Sequence, residues 1–170
     1  MILMSFITLF ISFLLQGLVS NFQNYTLTSL SIFSTVFLLI NFVVLQPYFV
    51  SDKRFLFFVV GFGLLFDIVY SNTFVLCTFL FLLVFFVNKV FNFFFPSNVI
   101  TVNFVSLISI IIYHVISFLI LKVLNFDSFN IFVLIRVLLS NFIMTILYTT
   151  ILYYIVDFIY RKFNLKIVRD

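Results

Sequence analysis

Residues 55–70 read FLFFVVGFGLLFDIVY, a run apolar enough to enter lipid with one carboxylate, Asp67, set inside it. Only the tyrosine at its end adds another ionisable side chain. A charge at that depth costs about 2.5–3.5 kcal/mol on insertion scales. A partner or a task must therefore accompany it. The run is a spanning helix, and the rest of the chain has the same character.

Hydrophobic residues make up 65% of the chain, charged residues 8%, and the mean hydropathy is +1.38. Soluble domains carry roughly 25% charged residues. So few charges leave too little polar surface to cover a water-soluble fold, and lipid must serve as part of the solvent. The sequence holds 30 Phe and no Trp, Ala or Glu. Genomic AT bias produces such usage, so the phenylalanines read as lipid-facing bulk and core filler. The single Cys77 lies in an apolar segment and reads as a small core residue. The opening MILMSFITLFISFLLQGLVS has no basic start and no small-residue cleavage site, so it reads as a retained first span.

A span takes about 20 apolar residues. Six are expected, at about 2–19, 25–45, 55–70, 73–94, 99–121 and 129–149, in one transmembrane domain covering 1–170. Ser20-Asn21 and Gln23-Asn24 are expected to form a turn after the first. Pro47 is expected to end the second. Ser71-Asn72, Pro96-Ser97-Asn98 and residues 125–130 mark the later breaks. The apolar pattern from 129 to 160 would measure about 48 Å, too long for a core of about 30 Å. Residues 150–170 are therefore expected to leave the core as an interfacial helix end and a basic tail. Lys53, Arg54, Lys89, Arg161, Lys162, Lys166 and Arg169 fall on one side, and Lys122 on the other beside Asp127. The excess of basic residues places both termini in the cytoplasm. The expected fold is an all-α bundle of six membrane helices, multi-pass in a cytoplasmic membrane.

Counting along the helices puts Asp67, His114 and Arg136 in one layer, roughly 10 Å below the outer edge. Two readings stand. One is a polar pocket open to the outside. The other is a buried Asp67–Arg136 pair that fixes how two helices pack. Gly63 lies four residues before Asp67, so both share a helix face suited to close docking. Ser31, Ser34, Thr35 and Asn41 stripe the second span, and Asn141 lies near mid-membrane in the sixth. These read as hydrogen-bonding glue between helices. With one His and no Glu, neither a transition-metal site nor a cofactor is expected. No nucleophile motif or phosphate loop is present, so no catalytic residue is named. The basic tail suits anionic lipid or a cytoplasmic partner better than nucleic acid.

The stretch GLLFDIVYSNTFVLCTFLFLLVFFVNK, residues 63–89, resembles MreD, the small membrane subunit of the bacterial rod-shape system. That family tends to show a glycine, an apolar pair or triple and then an aspartate, in a helix followed by a tight turn and another apolar helix. Gly63 and Asp67 stand at those positions, and Asn141 matches a late asparagine before a basic tail. Thr73-Phe74-Val75-Leu76 lacks the glycine often found after the turn, and Arg136 stands where a proline is often seen. The resemblance implies a non-enzymatic scaffold of the elongasome that binds MreC. Through MreC it would act with MreB, RodA and a class B penicillin-binding protein in lateral peptidoglycan synthesis and cell shape. It also implies a fold similar to the vitamin-binding subunits of energy-coupling-factor transporters. A transporter subunit is accordingly the alternative. Gly63, Asp67, His114, Arg136 and Asn141 are the candidate partner-docking or intramembrane polar residues.

Overall fold

The computed structural model describes residues 2–26, 36–49, 51–71, 75–123 and 131–162. Helices make up nearly all of them, and no strand occurs among the described residues. In chain order the helices are α1 (Ile2–Thr26), α2 (Phe37–Leu45), α3 (Asp52–Phe66), α4 (Leu76–Phe94), α5 (Val99–Val123) and α6 (Ile131–Lys162). Five helical segments are long and apolar enough to cross a membrane, α3 together with the turn that follows it.

The exception is α2. It is nine residues long and continues only as a 3-10 turn over Gln46–Tyr48. Such a helix covers about 14 Å, half of a bilayer core. Of the second expected span, residues 27–35 lie outside the described residues, and Ser31, Ser34 and Thr35 lie among them. Every residue from Val36 to Phe49 is buried. A helix apolar on all sides has no face to give to lipid and belongs in a protein core. Accordingly α1, α4, α5 and α6 all pack against it, while α3 packs mainly on α4 and reaches α2 through Phe55 against Phe42. The architecture is five long helices around a short central one.

The radial order of side chains is that of a membrane protein. Outward positions hold large apolar groups, among them Phe57, Ile68, Phe93, Ile100, Phe132 and Leu139. Inward positions hold polar ones: Ser5, Ser12 and Gln16 on α1, Asn88 on α4, Ser106, Ser109 and His114 on α5, Asn141, Thr145 and Thr149 on α6. Lipid offers nothing to a hydroxyl or amide, so each turns inward toward another helix.

Several boundaries differ from expectation for physical reasons. The polar residues 20–24 make no turn, and α1 runs through them to Thr26. Ser, Asn and Gln cost under about 0.7 kcal/mol each in a helix, which is too little to stop one. The last helix, expected to leave the membrane core near 149 as an interfacial helix end, is helical there. It continues unbroken to Lys162, because Leu152, Val156 and Tyr160 remain buried against the bundle. Residues 163–170 lie outside the described residues, as does the whole of the expected break at 125–130, Asp127 included. Pro47 does end α2. Asn98 caps α5 by accepting from the Thr101 N–H at 2.9 Å and hydroxyl at 2.8 Å. At the same end of the bundle Lys89 meets Asp52 at 2.7 Å, joining the finish of α4 to the start of α3.

Candidate functional site: the Asp67 joint

The geometry around Asp67 begins with a deficiency in α4. The first N–H groups of any helix lack intrahelical acceptors. Water or a short polar side chain normally supplies them. Here the residue before α4 is Val75, whose side chain accepts nothing. Cys77 and Thr78, which carry the N–H groups in question, are each only 3% exposed. The acceptor must come from elsewhere in the chain.

Asp67 supplies it. After Phe66 the backbone widens into a single π turn, Asp67–Ser71, which starts at the aspartate. The carboxylate is 2% exposed and faces the start of α4. Its Oδ1 accepts from the Cys77 N–H at 2.9 Å and from the Ser71 hydroxyl at 3.1 Å. Its Oδ2 accepts from the Thr78 N–H at 2.9 Å and from the Thr78 hydroxyl at 2.7 Å. An ionised carboxylate offers about four lone-pair positions, which suits these donors among the described residues, the Ser71 proton being shared with the Asp67 carbonyl 3.2 Å away. The positive end of the α4 dipole adds to the attraction. This is a helix cap delivered from a neighbouring helix.

Gly63 makes the joint possible. One turn below Asp67 on the same face, it lies so close to α4 that an added Cβ would sit 3.0 Å from the Thr78 Cα and 3.0 Å from its hydroxyl oxygen. The same threonine thus receives both the glycine and the carboxylate. Gly17 has a parallel use. The Tyr70 ring lies across it, and the Tyr70 hydroxyl donates to the Phe13 carbonyl at 2.8 Å, which pins the π turn to α1. Gly61, by contrast, faces open space. The chain also accepts strain here. Val75 adopts φ 66°, a left-handed conformation that costs a β-branched residue roughly 1–3 kcal/mol.

The expected layer of three ionisable groups comes apart. His114 is buried on α5 and lies 3.2 Å from the Asn141 amide of α6. In this orientation Asn141 Nδ2 has only protons to offer, so Nε2 of the imidazole accepts. Arg136 is exposed on the outer face of α6. The Asp67–Arg136 pair is therefore not formed. The expectation counted depth along the helices, but rotation about their axes separates the groups. Asn141, Thr145 and Thr149 fix the inward face of α6 at four-residue spacing. Arg136 lies five residues from Asn141, roughly 140° around the helix. That offset is legible in the sequence and would have turned Arg136 outward.

The sequence reading also passed over a neutral seam joining α1 to α6 across α2. Ser5 shares a 2.8 Å hydrogen bond with the Tyr160 hydroxyl. Ser12 donates to the Thr8 carbonyl at 2.9 Å, so the Tyr148 hydroxyl, 2.8 Å away, donates to Ser12. Asn41 Nδ2 donates to the same oxygen at 2.7 Å. Gln16 accepts from the Phe37 N–H at 2.8 Å and so caps α2 as Asp67 caps α4. The signal was the spacing of Ser5, Ser12 and Gln16 on one face of the first helix.

Among the described residues no group of three His, Cys, Asp or Glu side chains could hold a metal ion. No protein-family model, curated protein or solved structure matches the chain.

Proposed function

We propose that the chain is a non-enzymatic scaffold subunit in the cytoplasmic membrane of a bacterium, of the MreD kind. In this reading it binds MreC and supports lateral peptidoglycan synthesis and cell shape. The observation that carries the reading is the use made of Gly63 and Asp67. The residues on which the resemblance to MreD rests form a structural joint, which holds the α3–α4 hairpin in one geometry. A scaffold needs a fixed outer surface, and a locked hairpin supplies one. The surface left for a partner's membrane helix is then the outer apolar face, since Gly63 and Asp67 are occupied by α4.

The orientation belongs to the same proposal. Both termini face the cytoplasm, with Lys53, Arg54, Arg161 and Lys162 at the inner interface. Beside the fold similarity, what favoured the transporter alternative was the expected shared layer of Asp67, His114 and Arg136. Those groups face three different ways, and the alternative is not carried further.

Co-purification tests the proposal. A tagged chain expressed from its own locus is expected to recover an MreC-type coiled-coil membrane protein, and its depletion is expected to round the cells. Rod shape retained on depletion, with no such protein recovered, would overturn it.

A further inference from the structure

Three buried polar side chains in the half of the bundle near Pro47 are short of hydrogen-bond partners. They are Gln46 at the end of α2, Asn88 on α4 and Ser106 on α5, each more than nine-tenths buried. Among the described residues, Gln46 Oε1, Asn88 Nδ2 and Ser106 Oγ have no partner. Two direct bonds place them together. Gln46 Nε2 donates to the Phe85 carbonyl at 3.2 Å, one helical turn before Asn88. Asn88 Oδ1 meets the Ser109 hydroxyl at 2.9 Å, one turn beyond Ser106.

Turning the amides does not remove the shortage. A flipped Gln46 would set its oxygen against the Phe85 carbonyl. The Ser109 hydroxyl lies 2.7 Å from the Val105 carbonyl as well as near Asn88, and it has one proton for the two. Flipping Asn88 lets Nδ2 donate to Ser109 while that proton stays on Val105. Either orientation leaves one Asn88 amide atom unmatched. An unmatched buried group is costly, because it has given up water without gaining a partner.

We propose that these groups enclose an ordered internal water that bridges α2, α4 and α5. A water both donates and accepts, and buried waters typically make about three hydrogen bonds to otherwise unmatched groups. Gln46 Oε1, the free Asn88 amide atom and the Ser106 hydroxyl offer that number and that mixture. The water would lie beside the 3-10 break at Gln46–Tyr48, where the central helix ends. The inference is independent of the proposed function.

The test uses the full chain in nanodiscs. X-ray radiolytic labelling in ¹⁸O water modifies side chains beside bound water, and Phe85 is buried away from bulk solvent. The proposal expects Phe85 to be labelled in the native chain, at least threefold less in Asn88→Leu, and less in Ser106→Ala, a smaller change that tests the site should Asn88→Leu misfold. It also expects the same melting temperature in sodium and in choline chloride. Absent labelling of Phe85, or labelling unchanged in a folded Ser106→Ala variant, overturns it. A melting temperature that rises with sodium overturns it too, because the guest is then a cation.

Discussion

The bundle is held by two kinds of polar join. At the start of α4 one carboxylate accepts from two backbone N–H groups and two hydroxyls of the same hairpin. Between α1 and α6, neutral serines and tyrosines far apart in sequence meet in separate pairs. The first join is concentrated, charged and local. The second is distributed, neutral and long-range. A concentrated join fails with one residue, whereas a distributed one loses strength by increments. The charge also declared itself in the sequence, because a carboxylate in an apolar run demands explanation. A serine in such a run does not.

The contrast breaks most readily at Asp67. Replacing it with Leu leaves the Cys77 and Thr78 N–H groups without acceptor inside the bundle, and a loss of about 3 kcal/mol is expected in thermal unfolding of the purified chain. Next come the glycines. Gly63→Val forces a side chain into Thr78 and is expected to lose about 1–3 kcal/mol. Gly61→Ala, which meets open space, is expected to lose nothing and to gain at most about 1 kcal/mol through helix propensity. Equal effects at the two glycines would dissolve the assignment of the joint to one face of α3. In the neutral seam, Tyr148→Phe is expected to cost about 0.6 kcal/mol, the mean of interhelical hydrogen bonds measured in a membrane bundle. A loss as large as that of Asp67→Leu would show that the seam is not distributed at all.

What was legible in the sequence follows the same division. Composition and apolar run length gave the all-helical membrane class, and four of the expected spans overlie α1, α3, α4 and α5 closely. Pro47 and Asn98 gave breaks through known backbone chemistry. Gly63 and Asp67 were correctly singled out as one face, although their counterpart proved to be the N-terminus of α4. The reading failed where rotation mattered. Depth can be counted from a helix end, so Asp67, His114 and Arg136 were expected at one level. Azimuth must be taken from a stripe, and the Asn141, Thr145, Thr149 stripe was not used. The short buried α2 was hidden for another reason. A helix apolar all round looks the same whether protein or lipid surrounds it.

The account stands on the Asp67 carboxylate being satisfied by α4 and not by a cation on α6. A double-mutant cycle with Asp67→Asn and Arg136→Leu, read as unfolding free energy in one detergent, tests this directly. The structure predicts a clear loss for Asp67→Asn, none for Arg136→Leu, and a coupling below about 0.5 kcal/mol, as for residues that share no contact. If Arg136→Leu instead loses about as much as Asp67→Asn, and the double variant loses no more than either, the two residues are paired and the joint described here is wrong.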